Sequence, residues 1–114
     1  MLLPLFASEM NADENKQRVI PLKPEESGWL QRGSILPIGS VYYGMQSAIV
    51  TSVTEDLGEV DLSVTNLSTG EVWYDSFDSG DVQQILTPIS SSQGFYEVVY
   101  TTASGDVYEG TFEL

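Results

Sequence analysis

The chain has no cysteine and no histidine, and these two absences remove most of the routes by which a small protein does chemistry. Without cysteine there is no disulfide framework, no thiolate nucleophile and no soft ligand for zinc or copper. Without histidine no unperturbed side chain titrates near neutrality, so triad-type nucleophilic catalysis lacks its base. Basic residues are nearly as scarce: four bases stand against 17 acids, for a formal charge of −13. All four, Lys16, Arg18, Lys23 and Arg32, lie in the first 32 residues, and from Gly33 to Leu114 there are twelve acids and no base. Such a surface repels nucleic acid and anionic lipid, whose binding depends on Lys and Arg displacing counterions. No stretch approaches the ~20 apolar residues of a membrane-spanning helix, and none sustains helical periodicity.

What remains suffices for one folded domain. Apolar residues make up 41 % of the chain and aromatics 11 %, enough for a single core rather than the solvated coil of a disordered acidic tail. The front of the chain differs from the rest. Met1 to Ser8 resemble the end of a signal-peptide apolar region with its small-residue cleavage zone, and the residues up to Gln17 are polar and aperiodic. Residues 1–17 are therefore expected to be a flexible leader or signal-peptide remnant, and residues 18–114 the folded domain.

Residues 18–23 have the β-branched content of a strand, demoted to a sheet edge by Pro21, which cannot donate to a ladder. Residues 24–33 read as a loop carrying Trp29 and Leu30. Residues 34–38 read as a short strand interrupted by Pro37, followed by strands at 41–43 and, after Gly44, at 48–53. The clearest alternation comes next: Val60, Leu62 and Val64 on one face, Asp61, Ser63 and Thr65 on the other, the mark of a half-buried strand. Residues 69–77 and 104–112 then share one pattern, entered through a polar turn with Gly70 or Gly105 where a hairpin loop takes a left-handed residue. Residues 82–87 supply a further strand ended by Pro88. Seven to eight short strands at this spacing predict an antiparallel β-sandwich or barrel. Its inward residues would be Val60/Leu62/Val64, Tyr96/Val98/Tyr100 and Tyr108/Phe112/Leu114, with Gly110 leaving room for a large neighbour.

Few chemical constellations survive. Ser76, Ser79 and Ser90 to Ser92 read as turn residues with no base beside them. The acids mostly alternate with apolar positions, as on a wet sheet face, and so small a sandwich rarely encloses the cleft that paired-carboxylate hydrolysis needs. Asp75, Asp78 and Asp81 gather around one turn and are the calcium candidates, although their spacing matches no calcium-loop motif. Glu55, Asp56 and Glu59 form a second acidic turn. Trp29 in its loop and Trp73 on its strand are the candidate platforms for stacking a sugar ring, the competing role for Trp73 being to cap the sandwich edge. Asn66-Leu67-Ser68 fits the glycosylation acceptor pattern.

Residues 60–77, 94–100 and 105–114, with Ile20-Pro21-Leu22-Lys23 and residues 32–37, resemble a family of small secreted domains of unknown function from Gram-negative gut anaerobes. The resemblance spans about residues 18–114 and implies an all-β, antiparallel immunoglobulin-like sandwich behind a signal peptide; it offers no functional residues. The expectation is a non-enzymatic, secreted or periplasmic module without cofactor, contacting a protein or a glycan through a loop end or a sheet edge, the edge strands being marked by Pro21 and Pro37. The alternatives are a structural assembly or adhesin-like surface component, in which the apolar leader inserts into a neighbouring sandwich, and a calcium-dependent carbohydrate-binding module; a sheet edge could also join copies into a homo-oligomer. Whatever the partner, carboxylates that have no base to pair with repel one another. The thermal midpoint should therefore rise between millimolar and physiological salt; a midpoint that stays flat or falls contradicts this.

Overall fold

The structure, a computed structural model, describes residues 17–25 and 36–114. Trp29, Arg32 and nearly all of the expected leader lie outside the described residues. Among those described, β1 (Gln17–Val19), β3 (Ile38–Tyr43), β4 (Ala48–Val53) and β7 (Gln84–Pro88) form a four-stranded antiparallel sheet in the order β1-β3-β4-β7. The strands β2 (Lys23–Pro24), β5 (Glu59–Asn66), β6 (Val72–Asp78), β8 (Phe95–Thr101) and β9 (Val107–Glu113) form a five-stranded one in the order β2-β9-β8-β5-β6.

The alternation read from the sequence sets the core. Val60, Leu62 and Val64 of β5, Tyr96, Val98 and Tyr100 of β8 and Tyr108 and Phe112 of β9 are buried, with Leu114 half-buried beside them. From the other sheet Ile38, Tyr42, Ile49 and Val53 face them. Aromatic rings run through this core in a column. Tyr42 stacks on Phe112 at 5.4 Å between centroids, Phe112 on Tyr96 at 4.9 Å and Tyr96 on Trp73 at 6.3 Å.

Hairpins β5–β6 and β8–β9 turn through Gly70 at φ 86° and Gly105 at φ 97°, the left-handed conformation a side chain disfavours. In the first turn the buried Asn66 accepts the N–H groups of Ser68 and Thr69 on Oδ1, at 2.8 and 3.1 Å. An amide so enclosed is a turn-former, and the glycosylation pattern around it is satisfied by that role instead.

The N-terminal residues depart from expectation. Residues 18–23 are two strands in two sheets, because Pro21 breaks the ladder between them. Val19 pairs with Val41, and the Ile20 N–H reaches the Ser40 carbonyl at 2.9 Å. The chain then crosses the open side of the sandwich at Pro21, and Lys23 and Pro24 pair with Glu109 and Tyr108. Pro21 lies in neither ladder, where its missing N–H leaves no gap. Pro37 marks no edge either: it precedes β3, a single strand flanked by β1 and β4. Edge strands on this side are β1 and β2, and on the other β6 and β7.

Gly110 is the seat of the crossing. A Cβ built there would stand well inside contact distance of the Pro21 carbonyl oxygen, 3.0 Å from Leu22 Cδ2 and 3.1 Å from Ile20 Cγ2. Backbone cannot yield as a flexible side-chain tip can, so Gly110→Ala should cost about 2–3 kcal/mol in urea unfolding. Ile20→Ala should add less in that background than alone, since the crossing segment is already displaced. Full additivity, or a neutral Gly110→Ala, would show that the crossing does not press on Gly110.

Candidate functional site

Pairing register decides which face of β6 meets solvent. Trp73, Asp75 and Phe77 lie opposite the inward Val64, Leu62 and Val60, so they share the inner face. Val72, Tyr74 and Ser76 point outward, and Tyr74 is 78 % exposed. Of the two candidate tryptophans, then, Trp29 lies outside the described residues and Trp73 is half-buried in the aromatic column. The free aromatic ring on this strand is Tyr74, one residue along. Strict period-two alternation could have found it, had the hairpin register been known.

The acids divide by the same rule. Asp75, on the inner face, accepts the Ser76 N–H at 2.8 Å on Oδ1 and the Thr87 hydroxyl at 2.7 Å on Oδ2, bridging edge strands β6 and β7 across the two sheets. Asp78 points outward and caps the Gly80 N–H at 2.9 Å. Asp81 is exposed beyond the strand end. Residues on opposite faces of one strand cannot converge on an ion, and among the described residues no three acids gather to hold a metal. The second acidic turn abuts the first, because the buried Ser79 accepts the Leu57 N–H and donates to the Gly58 carbonyl, both at 2.7 Å. Asp56 there caps the Gly58 N–H at 2.9 Å. The sandwich thus satisfies several of its unpaired carboxylates with backbone N–H groups.

Around Tyr74 the outer face of the five-stranded sheet sinks into a shallow depression of about 620 Å³. Ser63 lies between Tyr74 and Val99 in one cross-strand row, and Asp61 between Ser76 and Thr101 in the next. The floor is therefore hydroxyls, one carboxylate and one valine, with a phenol ring standing at its rim. Farther along the same face Glu97, Glu109 and Glu113 alternate with buried positions.

A second cluster carries hydroxyls but no access. The Tyr100 hydroxyl sits between Thr51 Oγ1 at 2.7 Å and Ser40 Oγ, to which it donates at 2.9 Å, and all three residues are buried. It ties β8 to β3 and β4 across the core with no base at hand, so it is a strut. Desolvation holds the Tyr100 phenol above its ordinary range, against the smaller opposing pull of the Ser40 and Thr51 hydrogen bonds. Tyr108 is raised as well, by desolvation first and then by the charges of Asp106 and Glu55.

These two antiparallel layers, between which the chain passes so that β7 returns beside β4 and β8 beside β5, define an immunoglobulin-like β-sandwich. A fold match supports that class: the chain superposes with a TM-score of 0.65 on the crystal structure of a DUF3244 family protein with an immunoglobulin-like β-sandwich fold from Bacteroides vulgatus. The match covers 86 % of this chain and 98 % of that one at 12 % identity, so what the two share is the fold. No family model matches the chain, and no curated protein does.

Burial of Tyr100 has a sign that can be measured. An unfolded tyrosine ionises near pH 10, while the folded phenol stays protonated to higher pH, so folding stability is full below about pH 10 and falls as pH rises beyond it. Tyr100→Phe should be less stable at neutral pH by about 1–3 kcal/mol, because Thr51 and Ser40 lose a buried partner. It should also lose less stability than the wild type between neutral pH and strongly alkaline pH. Parallel alkaline unfolding curves for the two proteins would refute the assignment.

Proposed function

We propose that this domain is an exported, non-enzymatic binding module that holds a glycan against the outer face of its five-stranded sheet. The observation behind this reading is the Tyr74 depression. A ring 78 % exposed offers the apolar face of a pyranose a surface to stack on, while Asp61, Ser63, Ser76 and Thr101 offer acceptors and donors to its hydroxyl groups. The carboxylates around the floor favour neutral or cationic sugars over uronic or sulfated ones. A glycan needs neither metal nor imidazole to be held, which suits a chain without histidine or cysteine.

Capture of a partner's strand along a sheet edge has weaker support. Asn66 N–H bonds to Glu71 O, so in this register Val72, Tyr74 and Ser76 direct their backbone groups outward from β6. The Ser76 N–H is already taken by Asp75. On β7 the outward positions are Gln84, Leu86 and Pro88, and proline has no N–H to give. Both edges on that side are blunted against added strands.

A neutral-glycan array followed by calorimetry tests the reading. Tyr74→Ala should weaken binding on the order of tenfold or more with an unchanged melting temperature, and Tyr74→Phe should retain most of it. Trp73→Ala should instead lower stability. Binding that survives Tyr74→Ala, or an array without a neutral hit, sinks the proposal.

A further inference from the structure

The two sheets differ sharply in charge. The strands of the five-stranded sheet hold seven carboxylates, Glu59, Asp61, Asp75, Asp78, Glu97, Glu109 and Glu113. The strands of the four-stranded sheet hold none, and their one charged residue, Arg18, reaches back over the rim to the Glu113 carbonyl at 3.3 Å. The register aligns an apolar row straight across the outer face of that sheet: Val19 opposite Val41, Val41 opposite Val50, Val50 opposite Leu86. Val19 is 74 % exposed and Leu86 48 %, and Met45, in the turn from β3 to β4, is 73 % exposed. This row is flanked on one side by Gln17, Tyr43, Ala48 and Pro88 and on the other by Gly39, Ser52 and Gln84.

We infer that this uncharged face is covered by the same face of a second copy of the chain, back to back about a two-fold axis. Charge selects that occupant and that geometry. Two molecules of formal charge −13 repel when either presents its five-stranded sheet or its acidic turns, and among the described residues the four-stranded sheet is the face whose strands meet without opposing carboxylates. Sheets stack about 10 Å apart, so a back-to-back pair sets its two acidic faces roughly 30 Å from each other, several screening lengths at the ~8 Å that applies in physiological salt. A row of Val and Leu lying across all four strands is self-complementary under a two-fold, as an isologous contact requires. Strands about 4.8 Å apart, of 3, 6, 6 and 5 residues for β1, β3, β4 and β7, give a flat footprint of roughly 300 Å², below the ~800 Å² per partner of a standard interface. The dimer is therefore weak and concentration-dependent, and salt strengthens it, since screening lowers the repulsion while leaving the apolar contact intact.

Sedimentation equilibrium of the full chain, from micromolar to millimolar protein at low and physiological salt, tests this. The expected result is a reversible monomer–dimer equilibrium whose dissociation constant falls on the order of tenfold as salt rises. Val50→Lys and Leu86→Lys should each give monomer across the range with a cooperative melt retained; lysine lowers net repulsion, so its effect cannot be ascribed to added negative charge. Val99→Lys, on the acidic face, should leave the dimer in place. Monomer at millimolar protein in physiological salt overturns the inference, as does a dimer that persists in both Val50→Lys and Leu86→Lys. A wild type that stays monomeric while Leu5→Ser/Phe6→Ser dimerises also overturns it, by assigning the face to the chain's own apolar N-terminal residues. None of these readouts involves a sugar, so failure here is separable from failure of the glycan reading.

Discussion

The aromatic column is the contact on which the rest of the molecule depends. Tyr42 belongs to one sheet and Phe112, Tyr96 and Trp73 to the other, so their stacking joins the layers and fixes how they face each other. Each such pair contributes about 0.5–1.5 kcal/mol beyond the area it buries. Its more important effect is on orientation. Once Trp73 is drawn inward to end the column, alternation leaves β6 no choice but to turn Tyr74 out, and the depression beside it follows. Asp75 follows too: placed on the inner face near the open edge, it is close enough to Thr87 to tie β6 to β7.

Charge is the second organising constraint. A domain whose residues from 33 onward hold twelve acids and no base has too few bases to neutralise its carboxylates by ion pairs, so they sit where water or backbone N–H groups receive them. Asp56, Asp75 and Asp78 cap turns or their own strand, and the rest line the wet face of the larger sheet and the loops. The consequence, among the described residues, is a sandwich with one acidic sheet and one sheet whose strands hold no carboxylate. Such a division separates two surfaces for two different kinds of contact, a polar one facing sugar hydroxyls and an apolar one facing another apolar sheet.

Much of this was legible residue by residue. Val60/Leu62/Val64 and Tyr96/Val98/Tyr100 announce their faces because a side-chain period of two has one inner set, and Gly70 and Gly105 announce their hairpins because positive φ excludes most other residues. Gly110 could be recognised as room for a neighbour. That the neighbour is the chain's own crossing at Pro21 was not readable, since it depends on two residue pairs more than 80 positions apart. Trp73 and Tyr74 show the limit most clearly. Adjacent aromatics on an edge strand must face opposite ways, and local pattern does not say which; the larger ring suggested a platform and the register made it core.

The sequence by itself determined the extended chain, its turns and the chemistry the protein lacks, because alternation, glycine conformation and residue type act over a few positions. Only the tertiary structure decided which aromatic meets solvent, which carboxylates are held apart and which sheet has strands without a carboxylate. Those outcomes depend on cross-strand register and on the pairing of distant segments, and register is set by the packing of the whole core at once.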